Sequence, residues 1–158
     1  MCDTEEKVAK LISDLGLPAI FSEIWQTNEP RRFCRQWTKP VAFFEQRQQL
    51  IRRCPRIERC APLLESNRNR IVAIEPSTEN YVEFFFEDNE VEEIGTSYQQ
   101  FLSTLFVDLG YAGLEDLVEE VSGRFGYRHM DAFTAFMEID DDQPAEEAKK
   151  AFVSTIEN

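Results

Sequence analysis

Ile71-Val72-Ala73-Ile74-Glu75, then Pro76-Ser77-Thr78-Glu79-Asn80, then Tyr81-Val82-Glu83-Phe84-Phe85-Phe86-Glu87, is the stretch that decides the fold class. The first run is short, apolar and rich in β-branched residues, and the middle five residues carry turn chemistry. In the third run Val82, Phe84 and Phe86 face one way, while Tyr81, Glu83, Phe85 and Glu87 face the other. That is the period of two imposed by a strand. Glu87-Asp88-Asn89-Glu90 reads as a second turn and Val91 to Ile94 as a third short strand. Strands joined by connections this tight pair antiparallel, so the stretch predicts a meander.

On either side the hydrophobic period lengthens to that of a helix. Upstream, Val8, Leu11, Ile12 and Leu15 mark a first helix ended by Gly16, and Pro18 opens a second with the stripe Ile20, Phe21, Ile24 and Trp25. Asn28-Glu29-Pro30 would stop it. Residues 30–42 read as an irregular loop with room for one helical turn. A third helix runs from Phe43 to about Arg53 and is ended by Pro55; Pro62 then leads into something extended. Downstream, Thr96 and Ser97 are each followed three places on by a glutamine, the spacing of a capping box. Tyr98, Phe101, Leu102, Leu105 and Leu109 then line one face of an amphipathic helix. Leu114, Leu117, Val118 and Val121 mark the next helix, with Gly126 at its exit; Met130, Phe133 and Met137 mark another. After the polar Asp140-Asp141-Asp142-Gln143-Pro144, a short helix spans Ala145 to Ile156, with Glu146 and Lys150 at supportive spacing. The expected fold is therefore α+β: N-terminal helices, an antiparallel β-meander and C-terminal helices. A single domain is expected over residues 1–142, with a linker and short C-terminal helix over 143–158. Alternating βαβ units are absent, which argues against a doubly wound nucleotide-binding fold.

Composition bounds the function classes. The chain has 158 residues, 42% hydrophobic, with 13 Phe, 2 Trp and 4 Tyr, enough aromatic surface to bury a core. No apolar run approaches the length of a membrane span, and the acidic start Met1-Cys2-Asp3-Thr4-Glu5-Glu6 is unlike a secretory signal. A cytoplasmic protein is expected. Cys2, Cys34, Cys54 and Cys60 are irregularly spaced and are expected as reduced thiols, with no metal and no cofactor. There is no glycine-rich phosphate loop, no G-x-S-x-G motif, and a single histidine, His129, expected as a helix cap or surface residue. Asp140 to Asp142 lack the ligand pattern of a calcium loop and read as a solvated linker. The expectation is a protein that binds and does not catalyse.

The net charge of −13 is unevenly spread: residues 1–79 hold 13 basic and 11 acidic side chains, residues 80–158 hold 4 and 19. An acidic half repels nucleic acid and favours a basic partner through its long-range field. Glu75, Glu79, Tyr81, Glu83, Phe85, Glu87, Asp88 and Glu90 are the candidate partner-binding residues, with carboxylates for electrostatic docking and exposed aromatics as anchors. The alternative rests on segment 31–70, which holds 11 basic and 3 acidic residues with Phe33, Trp37 and Phe43 interleaved. Such a composition binds single-stranded nucleic acid. The same arginines also serve if they pair with acidic residues inside the domain.

One family resemblance accompanies this reading. Asn67-Arg68-Asn69-Arg70-Ile71-Val72-Ala73-Ile74, a strand ending Phe84-Phe85-Phe86, and Ile94-Gly95-Thr96-Ser97-Tyr98-Gln99-Gln100-Phe101-Leu102 together resemble the SUKH superfamily (Smi1/Knr4-like proteins). Leu15-Gly16-Leu17-Pro18 through Glu23-Ile24-Trp25 and Asn28 is similar to that family's entry pattern, although Glu29 stands where a glycine is usual and the arginine-rich insert is not a hallmark. The resemblance covers about residues 11–110. It implies an intracellular binding module: an immunity protein neutralising a basic toxin domain such as a nuclease, as in bacterial members, or an adaptor.

Overall fold

The threonine at position 4 sets the first element. In extended conformation its hydroxyl accepts a bond from the Lys7 amide at 3.4 Å, satisfying one of the amide groups that a helix start leaves orphaned. The computed structural model describes residues 3–26, 32–66, 69–139 and 142–158. The expected stop at Asn28-Glu29-Pro30, and the residues Cys2, Arg31, Asn67, Arg68, Asp140 and Asp141, lie outside them. Helix α1 (Glu5–Asp14) buries Val8 and Ile12, and Gly16 turns the chain in the left-handed region at φ 64°. Helix α2 (Ala19–Gln26) buries Ile20, Phe21 and Ile24. A 3-10 turn at Arg32–Arg35 leads to β1 (Trp37–Thr38), then α3 (Val41–Arg53) and a second 3-10 turn at Pro55–Arg59. Strands β2 (Ala61–Ser66), β3 (Arg70–Glu75), β4 (Asn80–Phe85) and β5 (Glu92–Gly95) follow.

The five strands form one sheet in the order β1-β2-β3-β4-β5. The expected meander is its β3-β4-β5 part, paired Ile71 to Phe84 and Ala73 to Val82 between β3 and β4. β2 adds the strand that Pro62 obscured, and Pro62 lies where the β2–β3 register shifts. A missing amide hydrogen is tolerated at such an irregularity. The face assignment read from the alternation is the observed one. Val82 and Phe84 join Ile71, Ala73, Phe43, Leu50, Ile57 and Cys60 in one cluster, with Phe86 packed partly against it. The other face is not wet. Every residue from Ile71 to Glu75 and from Tyr81 to Phe84 is buried, the pattern of central strands covered on both sides.

The chain divides into two compact units, Met1–Glu93 and Ile94–Asn158. In the second, Ser97 caps α4 (Tyr98–Tyr111) by accepting from the Gln100 amide at 3.2 Å, and the Gln100 carboxamide oxygen accepts from the Thr96 amide at 3.0 Å. Ser97 is thus the cap, and Thr96 bonds the same glutamine through its amide and its hydroxyl. α4 is buried nearly all round, from Phe101 to Val107 without a break. It lies against α5 (Glu115–Phe125), α6 (Met130–Met137) and α7 (Ala145–Ser154). Its buried polar groups are satisfied: Thr104 donates to the Ile94 carbonyl at 2.8 Å, and the Ser103 and Tyr127 hydroxyls share a bond of 2.8 Å. Among the described residues no helix is long and apolar enough to cross a membrane.

Gly95 is where the strand meets this helix. A Cβ there would stand 2.7 Å from the Phe101 backbone nitrogen, and backbone cannot rotate aside as a side chain can. Gly95→Ala is expected to cost about 1–3 kcal/mol through overpacking, read as a lower urea midpoint at unchanged slope.

Candidate functional site

The eight candidate residues fall into three places. Glu75, Tyr81 and Glu83 are interior, 4%, 6% and 7% exposed. The Glu75 carboxylate accepts from Arg56 Nη2 at 2.9 Å and has Arg59 Nε at 3.7 Å. The hydrogen bond to Glu75 holds the Arg56 guanidinium above its ordinary pKa. Glu83 Oε2 lies 3.1 Å from Arg70 Nη1. Tyr81 is no exposed anchor: burial pushes its phenol up to about 12. Phe85 is half-buried at the end of β4. The remaining four are exposed, but at opposite ends of the hairpin. Glu79 occupies the β3–β4 turn at φ 59°, while Glu87, Asp88 and Glu90 occupy the β4–β5 connection. The six-residue strand between them spans about 17 Å, so the expected single patch is divided.

What survives is the β4–β5 connection together with the first two residues of β5. Glu87, Asp88, Glu90, Glu92 and Glu93 are all exposed, with no Lys or Arg between residues 87 and 93. Its base is held by half-buried Phe85, Phe86 and Val91, by the Asp88 amide donating to the Phe85 carbonyl at 3.1 Å, and by the Arg53 guanidinium donating to the Phe86 carbonyl. At its far end Asn80 Nδ2 donates to Glu93 Oε2 at 2.6 Å. Carboxylates gathered on a short, anchored connection set up a negative field without having to be ordered first.

Part of the basic segment works inward, while Arg35, Arg52, Arg53 and Arg59 are exposed. Besides Arg56 and Arg70, Arg47 turns in, only 7% exposed and donating to the Glu58 carbonyl at 3.5 Å, and Lys39 pairs with Glu5 at 2.8 Å. Cys54 and Cys60 are free thiols. Cys60 is buried, and burial pushes its pKa up to about 12, which suppresses the reactive thiolate. Among the described residues no group of three or more His, Cys, Asp or Glu is placed to hold a metal ion. His129 stands at the start of α6, but its side chain makes no cap; its Nε2 shares a 2.9 Å bond with the Glu157 carbonyl.

The second unit holds a feature that the sequence reading passed over. α6 and α7 flank an open groove of about 570 Å³, floored by Phe136 and Phe152 stacked at 4.5 Å and 16°. Tyr111 and Ile139, 45% and 61% exposed, stand at its edge. The signal was a second apolar stripe, Ala132, Ala135 and Phe136 on α6 continued by Ile139 just past its end, on a different face from the buried Phe133. A helix with two apolar faces has one more than its own unit covers. No family model matches this chain, and no curated protein or solved structure is significantly similar to it.

Proposed function

We propose that this chain is a non-enzymatic protein-binding module that docks a basic partner, in the manner of a SUKH-like immunity protein neutralising a toxin domain or of an intracellular adaptor in the cytoplasm. The observation that carries the reading is the run 87–93, the β4–β5 connection with the start of β5, which holds five exposed carboxylates and no Lys or Arg. A chain of net charge −13 adds a long-range attraction for a positively charged surface, which raises association rates more than it lengthens residence. The ion pairs of Arg56 and Arg70 with the buried carboxylates of Glu75 and Glu83 weigh against a nucleic-acid role for these two cations of segment 31–70, because a phosphate-binding surface needs its guanidinium groups outward.

The partner is to be recovered by pull-down from the native cell and its association followed by stopped flow. Reversing Glu87, Asp88 and Glu90 together to lysine is expected to slow association roughly tenfold or more at low ionic strength, with the gap closing as salt screens the field. On-rates equal to those of the parent protein at low salt would remove the connection from the docking surface. Glu83, an inward residue, is not a suitable probe because its reversal tests folding.

A further inference from the structure

We infer that the groove between α6 and α7 seats a basic amphipathic α-helix supplied by a partner protein. This is a second docking site, in a different unit from the acidic connection, and it stands whether or not that connection binds anything.

The walls are built for a helix. Ala132 and Ala135 on α6 and Ala148 and Ala151 on α7 line the groove, and side chains that small leave room between the walls for the larger residues of an incoming stripe. Phe136 and Phe152 offer a continuous aromatic floor on which leucines can lie. The groove is held in place by the elements around it. Tyr111 Oη at its edge donates to the Ala145 carbonyl at 3.0 Å, and Met137, which also lines the groove, packs onto α4 so closely that a Cβ on Gly110 would come within 2.7 Å of it. Helix-in-groove recognition needs such a preformed apolar floor for anchors at i, i+3, i+4 and i+7.

Charge chooses the occupant. Helical periodicity places Asp131 and Glu138 beside Ala135 on the outer edge of α6, and Glu147 beside Ala151 on the outer edge of α7; all three are exposed. The cations of this region lie elsewhere. Lys149 is turned to the α4 side, where it pairs with Asp108 at 3.0 Å and Glu146 at 2.9 Å, and Lys150 falls on the face of α7 opposite the groove. The unit as a whole carries 4 basic and 13 acidic residues over 94–158. An apolar floor with carboxylates along both banks complements a helix whose leucine stripe is bordered by lysine or arginine. A second copy of this chain would bring like charge to like charge.

The test uses the full chain and a fluorescein-labelled synthetic peptide of ~18 residues, about five helical turns. Its leucines share one helical face and its lysines flank them; a control of the same composition scatters the leucines. Fluorescence anisotropy is expected to show the ordered peptide binding at least about tenfold tighter than the scattered one. Ala135→Trp and Ala151→Trp, which fill the groove from exposed positions, should each weaken it by about tenfold, and Ile139→Ser is the variant to use should either fail to fold. Glu138→Lys with Glu147→Lys should weaken it mainly at low salt. The variant reversed at Glu87, Asp88 and Glu90 should bind the peptide as the parent does, which separates this site from the acidic connection. Equal binding of the two peptides, or indifference to all three groove variants, would overturn the inference. So would a concentration-dependent dimer that Ala151→Trp abolishes, since the occupant would then be a second copy. A neutral dye such as Nile red taken up by a groove that refuses the peptide would make it a small-molecule site and overturn it equally.

Discussion

Arg70→Ala is expected to destabilise the protein by about 3–5 kcal/mol, because it takes from the buried Glu83 carboxylate a cation that faces it. The two side chains are 13% and 8% exposed, and their nearest atoms are 3.1 Å apart. Arg70 stands at the start of β3 and Glu83 inside β4. The loss should appear as a lower urea midpoint with the slope retained. Joint replacement, Arg70→Met with Glu83→Leu, should recover most of the loss, since removing both charges removes the desolvation cost with the attraction. A single-substitution cost below about 1 kcal/mol would mean that the pair behaves as a surface ion pair does.

The second large effect belongs to Phe106→Ala, for which the expected cost is also about 3–5 kcal/mol, from lost burial and the cavity left behind. Phe106 is fully buried in α4, edge-on to Phe125 at 5.8 Å and 75° and to Tyr127 at 5.0 Å and 83°. Removing the ring takes away both edge contacts and the wall that holds Tyr127 in reach of the Ser103 hydroxyl. Phe106→Leu keeps most of the volume and should cost about 1.5 kcal/mol or less. Thermal unfolding of the two variants checks the ranking; equal melting temperatures would show that α4 relaxes to fill the space.

The alternation from Tyr81 to Glu87 gave the right side chains to each face of β4, because a strand's pleat leaves no other choice. It was read as one dry face and one wet face, and there it misled. The signal to the contrary was present in Ile71-Val72-Ala73-Ile74, a run with no polar gap, which marks a strand covered on both sides. A neighbour paired with such a strand residue by residue shares its burial, so Glu75, Tyr81 and Glu83 went inside with it. Carboxylates there are possible only because Arg56, Arg59 and Arg70 arrive from turns and strand ends distant in the chain, and no local pattern displays that pairing. β1, at two residues, is too short to have a period at all. α4 was read as amphipathic from its leucines, yet Gln99, Ser103 and Thr104 are buried with it. Their polarity is answered by specific bonds, such as Gln99 Nε2 to the Gly126 carbonyl at 3.0 Å, that only the folded chain assembles. The α6–α7 groove was legible in principle, since two apolar stripes on one short helix ask for two partners.

The sheet ends on its shortest strands, β1 with two residues and β5 with four. An outer strand presents unpaired amides and carbonyls to any other extended chain, and length and flatness decide how good a template it makes. Two residues offer almost none. On β5 the first two positions are Glu92 and Glu93, both exposed, so a second molecule approaching that border in register would set its own glutamates against them. Glu92 and Glu93 therefore keep the sheet from growing between molecules, a task they perform in every copy of the protein whether or not a partner is bound.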